Sequence, residues 1–226
     1  MHSKGLFRTE ASPIISANTL QDRRLGSVGK VLPSQSVKLN QDKELLVRGQ
    51  NIMQGYYQLE NKTKDVLSPE GWLNTGDIAD IDEDGFIFIV DRKKEIIVLS
   101  NGKNIPPSKI EQILSSSRYI AQSVAIGEGK NYVSALILPD FFMLRKKFSL
   151  DEKISNDDLI LDTKVISFYQ DIIKEKCRDL SSYERVKKSC LIAEELTQEN
   201  GLLTPTLKYK RKELRAYFKK QIQSLY

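Results

Sequence analysis

The chain has few of the residues that metal and nucleophile chemistry most often use. Its 226 residues include one histidine, His2, and two cysteines, Cys177 and Cys190, which lie too far apart for a CxxC pair. A zinc site or a cysteine–histidine nucleophile is therefore not expected. Two isolated thiols are typical of a reducing compartment and argue against a secreted disulfide scaffold.

Long apolar runs are also missing. No stretch approaches the roughly 18 residues that a membrane span needs, and the start, MHSKG, lacks the apolar core of a signal peptide. We expect an intracellular, cytoplasmic protein that is soluble, with peripheral attachment to a membrane left open. The net charge of +5 is modest, so it permits an anionic ligand without requiring nucleic acid.

A basic segment at residues 208–220 is the main candidate for nucleic-acid binding. Glu213 interrupts it, and Leu214, Tyr217 and Phe218 give it an apolar face at helical spacing. This pattern favours a terminal helix packed on a domain, and no nucleic-acid partner is predicted.

The secondary-structure pattern changes near residue 92. Before it, short strands and turns dominate, with a brief helix that Asn61 would cap. The predicted elements are strands 36–40, 44–48, 78–81 and 86–90, and helix 61–67. After it, strands and helices mix: strands 96–99, 123–126, 132–138 and 186–192, and helices 107–117, 140–149, 165–180 and 212–224, with an exposed acidic stretch at 151–158.

Two charged motifs suggest a nucleotide site. GWLNTGD at residues 71–77 places Asp77 beside a glycine, and DRKK at residues 91–94 places Arg92 just beyond a strand. A carboxylate can accept bonds from two ribose hydroxyls, and an arginine nearby suits ribose or phosphate. Taken alone, a Gly-Asp pair such as Gly76-Asp77 more often ends a strand in a turn than binds a ligand.

Several motifs in order resemble those of the adenylate-forming (AMP-binding) superfamily, in the style of long-chain fatty-acid–CoA ligases. The resemblance covers nearly the whole chain, but only the C-terminal portion of such an enzyme. Besides the two motifs above, it rests on TEASP (9–13), ELLVRG (44–49), GYY (55–57), NGKNI (101–105) and LTPTLKYKR (203–211).

The resemblance implies roles for the matching residues. Asp77 and Arg92 would bind the nucleotide, and Glu10 would help hold Mg²⁺ on ATP, although a surface carboxylate is an equal reading of Glu10. Lys208 would be the catalytic residue, offsetting charge between the fatty-acid carboxylate and the α-phosphate. The remaining roles are Lys94 as the hinge pivot, and Ser100 and Gly102 on the coenzyme A path.

The implied reaction joins a fatty acid to coenzyme A in two steps. Fatty acid and ATP give acyl-adenylate and pyrophosphate, and the thiol of CoA then displaces AMP after the C-terminal domain has rotated. The expected fold is α+β: residues 1–91 form a β-rich partial barrel from the end of the large AMP-binding domain, residues 92–95 a hinge, and residues 96–226 a small mixed-sheet domain flanked by helices.

The chain departs from the family pattern in two places. The Ser/Thr/Gly-rich phosphate loop and the larger N-terminal domain are not in the sequence, and Leu6 and Phe7 stand before Thr9 where an aromatic residue and a glycine are usual. We therefore expect a C-terminal fragment that is inactive alone and needs an N-terminal partner. A non-catalytic remnant or nucleotide-binding partner module remains the alternative. The open edges of a partial barrel also predict self-association.

Among the aromatic and basic residues, several are expected to have structural roles only. Tyr56 and Tyr57 would pack, Trp72 would fill a core, and Lys93 would be a solvated surface charge.

Overall fold

The structure is a computed structural model that describes residues 5–226. The chain divides into two compact units, Met1–Lys94 and Glu95–Tyr226, and passes from one to the other within the 3₁₀ turn Lys93–Glu95. Residues 1–4, with the single histidine and most of the segment examined for a signal peptide, lie outside the described range. None of the helices in residues 5–226 has the length and apolarity that a membrane span requires.

The first unit is β-rich, with two antiparallel sheets and one short helix among its described residues. One sheet has the order β1-β2-β3 and the other β4-β5-β6-β7. The elements are β1 (Gly5–Phe7), β2 (Ile14–Ala17), β3 (Lys30–Val31), β4 (Gln35–Leu39), β5 (Glu44–Gly49), α1 (Glu60–Val66), β6 (Leu73–Ile81) and β7 (Ile87–Arg92).

In the first unit, neighbouring predicted strands pair as two hairpins. In β4–β5, Val37 pairs with Val47, and in β6–β7 the turn uses Gly85 at φ 84°, which a side chain would disfavour. Asp82 Oδ1 closes that turn by accepting bonds from the backbone N–H groups of Asp84 and Phe86. Polar turn residues were enough to predict both connections, with a glycine in β6–β7 and Lys43 at φ 62° in β4–β5.

Burial alternates along β6, although the strand is irregular near its middle. Leu73, Thr75, Asp77 and Ala79 are buried, while the residues between them are more exposed. Leu73 and Ala79 belong to the apolar core of this unit. Between them the register of β6 with β5 shifts and Gly76 has a positive φ, so the burial of Asp77 does not follow from regular alternation.

Three local expectations in this unit are wrong. Leu59, and not Asn61, precedes the first turn of α1, so Asn61 lies inside the helix. Trp72 is half-buried outside the core, with Lys38 and Arg48 over its ring at 4.2 and 4.8 Å from the centroid. Tyr57 is 87% exposed. Aromatic composition alone did not distinguish burial from surface stacking.

The second unit is a mixed sheet flanked by helices. Its main sheet has the order β10-β11-β12, in which β10 and β11 are antiparallel and β12 is parallel to β11. The elements are β8 (Ile97–Val98), β9 (Asn104–Ile105), α2 (Pro107–Ser115), β10 (Ile120–Ile126), β11 (Val133–Pro139), α3 (Phe141–Phe148), α4 (Asn156–Leu159), α5 (Thr163–Lys176), β12 (Val186–Leu191), α6 (Arg211–Tyr217) and α7 (Lys219–Ser224).

Strand β11 is buried along its whole length and separates two apolar clusters. Ala135 and Ile137 pack with α2 and α5, whereas Leu136 and Leu138 pack with residues of α6 and the carboxyl end. A continuous apolar strand is what a sheet covered on both faces requires. The α+β class and the mixed sheet with flanking helices are thus confirmed.

In the second unit one predicted helix needs correction, and one short helix was not predicted. The terminal helix is two helices, because Phe218 leaves helical geometry at ψ 27° and its side chain is buried in the second cluster. The acidic stretch after residue 150 contains α4, whose start is capped by Ser155 Oγ accepting from the Asp158 N–H.

Candidate active site

Asp77 and Arg92 form the centre of the candidate site in the first unit. They are register partners on β6 and β7, and Arg92 Nη1 donates to Asp77 Oδ1 at 2.6 Å. Asp77 is only 3% exposed. Burying a carboxylate is costly unless a cation or hydrogen-bond donors accompany it, and Arg92 supplies both.

Gly76 has a left-handed backbone angle beside this carboxylate. Its φ of 69° lies in the left-handed region, and a Cβ there would meet no atom within 4 Å. The Gly76 N–H donates to Glu44 Oε1 at 3.0 Å. Glycine is therefore required by the backbone angle and not by crowding, and the surface beside it stays open to another molecule.

Arg8 is a residue of the site that the sequence did not identify. Its Nη1 lies 3.8 Å from Asp77 Oδ2, and its Nε lies 3.8 Å from Glu10 Oε2. That Nε is buried and has no hydrogen-bond partner. Arg8 thus links the two predicted carboxylates, and one buried donor remains unsatisfied. In the sequence, Arg8 is visible only as a cation next to the TEASP motif. Its contact with Asp77 could not be predicted, because the two residues are far apart in the chain.

Glu10 is an ionised carboxylate with its own donor. Tyr56 Oη donates to Glu10 Oε1 at 2.9 Å, so Tyr56 does more than pack. A backbone hydrogen bond lowers the pKa of Glu10 below its ordinary value; burial opposes this, while the Tyr56 hydroxyl and the Arg8 guanidinium lower it further. The described residues contain no cluster of three or more metal-ligating side chains, so a cation at Glu10 would need most of its ligands from substrate or water.

An open cleft of about 420 Å³ borders these groups in the first unit. Its cationic lining residues are Arg8, Arg92, Lys93 and Lys94. Lys93 is not a free surface charge, since its Nζ lies 3.1 Å from Asp42 and 3.0 Å from Glu44. Lys94 is exposed and makes no ion pair with the described residues. Glu44 and Asp65 also line the cleft. Because the four cations outnumber these two carboxylates, the lining carries a net positive charge that favours an anionic ligand.

In the second unit, Lys208 lies on an exposed loop. Thr204 N–H donates to the Lys208 carbonyl at 2.8 Å, and Lys208 N–H donates to Thr204 Oγ1 at 3.0 Å. Leu207 adopts a φ of 58° to close this loop. The side chain of Lys208 has no partner among residues 5–226, so its ammonium group is free to reach a ligand.

Arg211 anchors the chain just after that loop. Its Nε donates to Glu95 Oε2 at 2.9 Å, and its Nη1 and Nη2 donate to the two oxygens of Glu111 at 2.9 and 3.0 Å. The fork-to-carboxylate geometry is the strong, directional form of an arginine ion pair. It ties the start of α6 to α2 and to the first residue of the second unit. The sequence did not predict this role.

Ser100 and Gly102 lie together on a turn of the second unit. Ser100 N–H donates to the Lys130 carbonyl at 2.9 Å, and its Oγ donates to Asn131 Oδ1 at 2.7 Å. Gly102 has a φ of 76°, and a Cβ there would meet nothing within 4 Å. The turn is exposed and held by the neighbouring loop at residues 130–131.

The predicted site residues therefore fall into separate groups. Glu10, Asp77, Arg92 and Lys94 belong to the first unit, where Arg8 joins them. Ser100, Gly102 and Lys208 belong to the second.

A family comparison identifies the second unit. Residues 94–226 match the model of the AMP-binding enzyme C-terminal domain. The chain belongs to the AMP-binding enzyme family. The resemblance drawn from the motifs is thus confirmed.

Curated relatives extend the match to the first unit. The chain is 36% identical over 225 residues to long-chain-fatty-acid–CoA ligase FadD15 of Mycobacterium tuberculosis, covering 98% of this chain and 37% of that protein. It is 34% identical over 238 residues to human long-chain-fatty-acid–CoA ligase 6, covering 99% of this chain and 34% of that protein. It corresponds to the C-terminal part of these ligases and spans little more than a third of their length.

Solved structures agree on the fold. The adenylation domain of a carboxylate reductase from Mycobacterium chelonae matches with a TM-score of 0.76 at 20% identity, covering 99% of this chain and 34% of that domain. O-succinylbenzoate coenzyme A synthetase from Bacillus subtilis, in complex with AMP, matches with a TM-score of 0.67 at 22% identity, covering 94% of this chain and 40% of that one.

Proposed function

We propose that the chain is the C-terminal part of an ATP-dependent long-chain fatty-acid–CoA ligase. The complete enzyme would convert a fatty acid and ATP to acyl-adenylate and pyrophosphate, and then transfer the acyl group to coenzyme A. Support comes from relatives of that name, which match this chain from end to end.

The observation that carries the proposal is the Asp77 carboxylate between two guanidinium groups. An ionised carboxylate has about four lone-pair positions, and the Arg92 hydrogen bond at 2.6 Å uses one of them. Other positions remain for the two neighbouring hydroxyls of a ribose. Arg8 and Arg92 line the adjacent cleft, so phosphate oxygens of the same nucleotide would meet positive charge.

Glu10 is the proposed metal contact. Its pKa is lowered, which favours the charged form that a cation binds, and Mg²⁺ commonly binds one or two carboxylates together with substrate phosphates. When bound, Mg²⁺ neutralises charge on the phosphates of ATP. The chain's own contribution is to hold the Glu10 carboxylate in place through Tyr56 and Arg8.

Lys208 is the proposed catalytic residue of the first half-reaction. Its unpaired ammonium group would contact the carboxylate of the fatty acid and the α-phosphate, where negative charge grows in the transition state. Lys94, at the junction of the two units, is the proposed pivot that later removes Lys208 and presents Ser100 and Gly102 to coenzyme A.

The chain alone should not turn over ATP, because the phosphate loop and most of the acyl pocket would come from an N-terminal region. The test joins or mixes the chain with the N-terminal portion of the Mycobacterium tuberculosis relative and measures palmitoyl-CoA formation. Restored thioester formation supports the proposal, whereas no restoration, with both parts folded, favours a non-catalytic partner module.

A matched pair of variants tests the ribose site in that assembly. Asp77→Asn should weaken ATP binding by about 100-fold or more, because it loses charge-assisted bonds to the ribose. Asp80→Asn is the control, since Asp80 is on the same strand but exposed, with a surface pair to Lys43. Equal effects of the two substitutions would contradict the assignment of Asp77.

A further inference from the structure

The loop that carries Lys208 is a tight hairpin with one extra residue on its returning side. Leu203 and Tyr209 pair as an antiparallel bridge at its base. Inside this bridge, the Thr204 N–H donates to the Lys208 carbonyl at 2.8 Å. The Thr204 carbonyl accepts from the Leu207 N–H, also at 2.8 Å. Thr204 therefore faces two residues, Leu207 and Lys208, which is the hydrogen-bond pattern of a β-bulge.

Leu207 occupies the position of this bulge that favours glycine. Its φ of 58° lies in the left-handed region, which the first residue of such a bulge adopts and which glycine reaches most readily. Of the five non-glycine residues with a positive φ within residues 5–226, Leu207 is the only apolar one. Its side chain is 68% exposed, so packing does little to offset the unfavourable angle. The neighbouring hydrogen bonds must hold it.

The Thr204 side chain supplies one of these bonds. Its Oγ1 accepts from the Lys208 N–H at 3.0 Å and lies 3.1 Å from Thr206 Oγ1. Pro205 follows Thr204 at the first central position of the turn, where the fixed φ of proline is suitable. The turn, the bulge and the backbone of Lys208 thus form one hydrogen-bonded unit.

The bulge determines the face of the hairpin on which Lys208 lies. Tyr209 packs against the apolar cluster that contains Leu203. Successive side chains of a strand point to opposite faces, and Lys208, one residue before Tyr209, is exposed. A hairpin that lost the bulge by shifting its register one residue would turn Lys208 toward the apolar cluster.

We propose that Leu207 is a positioning residue for Lys208, and that its left-handed backbone angle, not its side chain, aims the lysine. The inference rests on the catalytic role of Lys208 in the proposed function, and it adds a conformational requirement at the residue before it. Bulges are common next to active sites, where they re-aim a side chain. Unfavourable backbone angles persist at such sites when the surrounding structure holds them.

Three substitutions of Leu207 separate the backbone angle from the side chain. Leu207→Gly and Leu207→Asn remove the apolar side chain but tolerate a positive φ, whereas Leu207→Val keeps an apolar side chain and strongly disfavours that angle. Ser149→Val is the matched control. Ser149 is exposed and has a φ of 51° at the end of α3 in the same unit, so valine there meets the same backbone penalty outside the hairpin.

The first readout is ATP–pyrophosphate exchange with palmitate in the assembly with an N-terminal portion. Leu207→Val should lower its rate by about 10- to 100-fold, because a small displacement of a reacting group has effects of this size. Leu207→Gly, Leu207→Asn and Ser149→Val should stay within about threefold of the unsubstituted protein. Thioester formation from ready-made palmitoyl-adenylate, which does not use Lys208, should change little in every variant.

A second readout needs no partner and follows amide hydrogen exchange in the chain alone. The N–H groups of Thr204 and Lys208 are both bonded across the bulge. They should lose protection in Leu207→Val and keep it in Leu207→Gly and Leu207→Asn. Unchanged protection of both amides in Leu207→Val would overturn the inference.

The pyrophosphate assay also separates this inference from the proposed function. An active unsubstituted assembly in which Leu207→Gly and Leu207→Asn lose as much activity as Leu207→Val would overturn the inference alone, because the side chain would then matter. An equal loss in Ser149→Val would do the same. An unsubstituted assembly without pyrophosphate exchange, with both parts folded, would refute the proposed function and this inference with it.

Discussion

Replacing Arg211 with methionine should destabilise the second unit selectively. Methionine keeps much of the length of the side chain but removes all of its hydrogen bonds to Glu95 and Glu111. The Glu111 side chain is only 12% exposed, so its carboxylate would lose its cationic partner in a largely buried position.

The magnitude follows from burial. Removing one partner of a fully buried ion pair costs about 3–5 kcal/mol. The Glu95 side chain is 30% exposed, and Glu111 keeps the hydrogen bond from the Ala125 N–H at 2.9 Å. We therefore expect a loss of about 2–3 kcal/mol, which corresponds to a fall in Tm of about 8–12 °C for a unit of this size.

The two units offer separate signals for the assay. Trp72, the only tryptophan, reports on the first unit by fluorescence. Helical circular dichroism reports mainly on the second, since α1 is the only α-helix among the described residues of the first. Arg211→Met should lower the Tm seen by circular dichroism much more than that seen by fluorescence.

Arg215→Met is the matched control. Arg215 is exposed on the same helix and donates only to the Arg211 carbonyl at 3.3 Å, so its loss should change stability by less than about 0.5 kcal/mol. If Arg211→Met shifts the circular-dichroism transition no more than Arg215→Met, the reasoning about the ion-pair cluster is refuted.

Two further predictions concern the Glu10 carboxylate of the first unit and two glycines, Gly29 in the first unit and Gly102 in the second. Tyr56→Phe removes a donor to Glu10, so the lowered pKa of Glu10 should rise toward its ordinary value, as followed by carboxyl NMR titration. A carboxylate whose pKa is lower in the folded than in the unfolded state stabilises the fold at pH values above its unfolded pKa, and this stabilisation is lost as the pH falls through the folded pKa. Tyr56→Phe should therefore lower the free energy of unfolding at neutral pH and make it vary less with pH in the acid range. An unchanged titration of Glu10 would contradict this prediction. Gly29→Ala should lower the free energy of unfolding, measured in urea, by more than about 3 kcal/mol, because the new Cβ would lie 1.9 Å from the Ala17 carbonyl carbon. At Gly102 a Cβ would meet open space, so Gly102→Ala should lower it by about 1 kcal/mol through the backbone angle alone. Similar costs at the two glycines would be inconsistent with these contacts.

Local patterns in the sequence predicted elements whose causes are local. The β6–β7 hairpin follows from turn residues that end in Gly85. Helix α2 begins at Pro107, as expected for a proline that precedes an apolar helical face. In the same way, the motif around Asp77 and Arg92 was readable because a strand and its hairpin partner are neighbours in the chain.

Contacts between distant segments could not be predicted this way. Arg8 reaches Asp77, and Arg211 reaches Glu95 and Glu111, only because the chain has folded. The break at Phe218 likewise depends on burial of its side chain, which overrides a continuous helical pattern. Helical periodicity shows which face of a segment is apolar, but it does not show which other segment packs against that face.

Separate measurement of the two half-reactions of Lys208→Ala tests the central claim most directly. In the assembly with an N-terminal portion, ATP–pyrophosphate exchange with palmitate should fall by about 100- to 1,000-fold, as expected for loss of a group that stabilises transition-state charge. Thioester formation from ready-made palmitoyl-adenylate and coenzyme A should stay within a few-fold of the unsubstituted protein. Exchange that survives the substitution, or an equal loss of both half-reactions, would contradict the account.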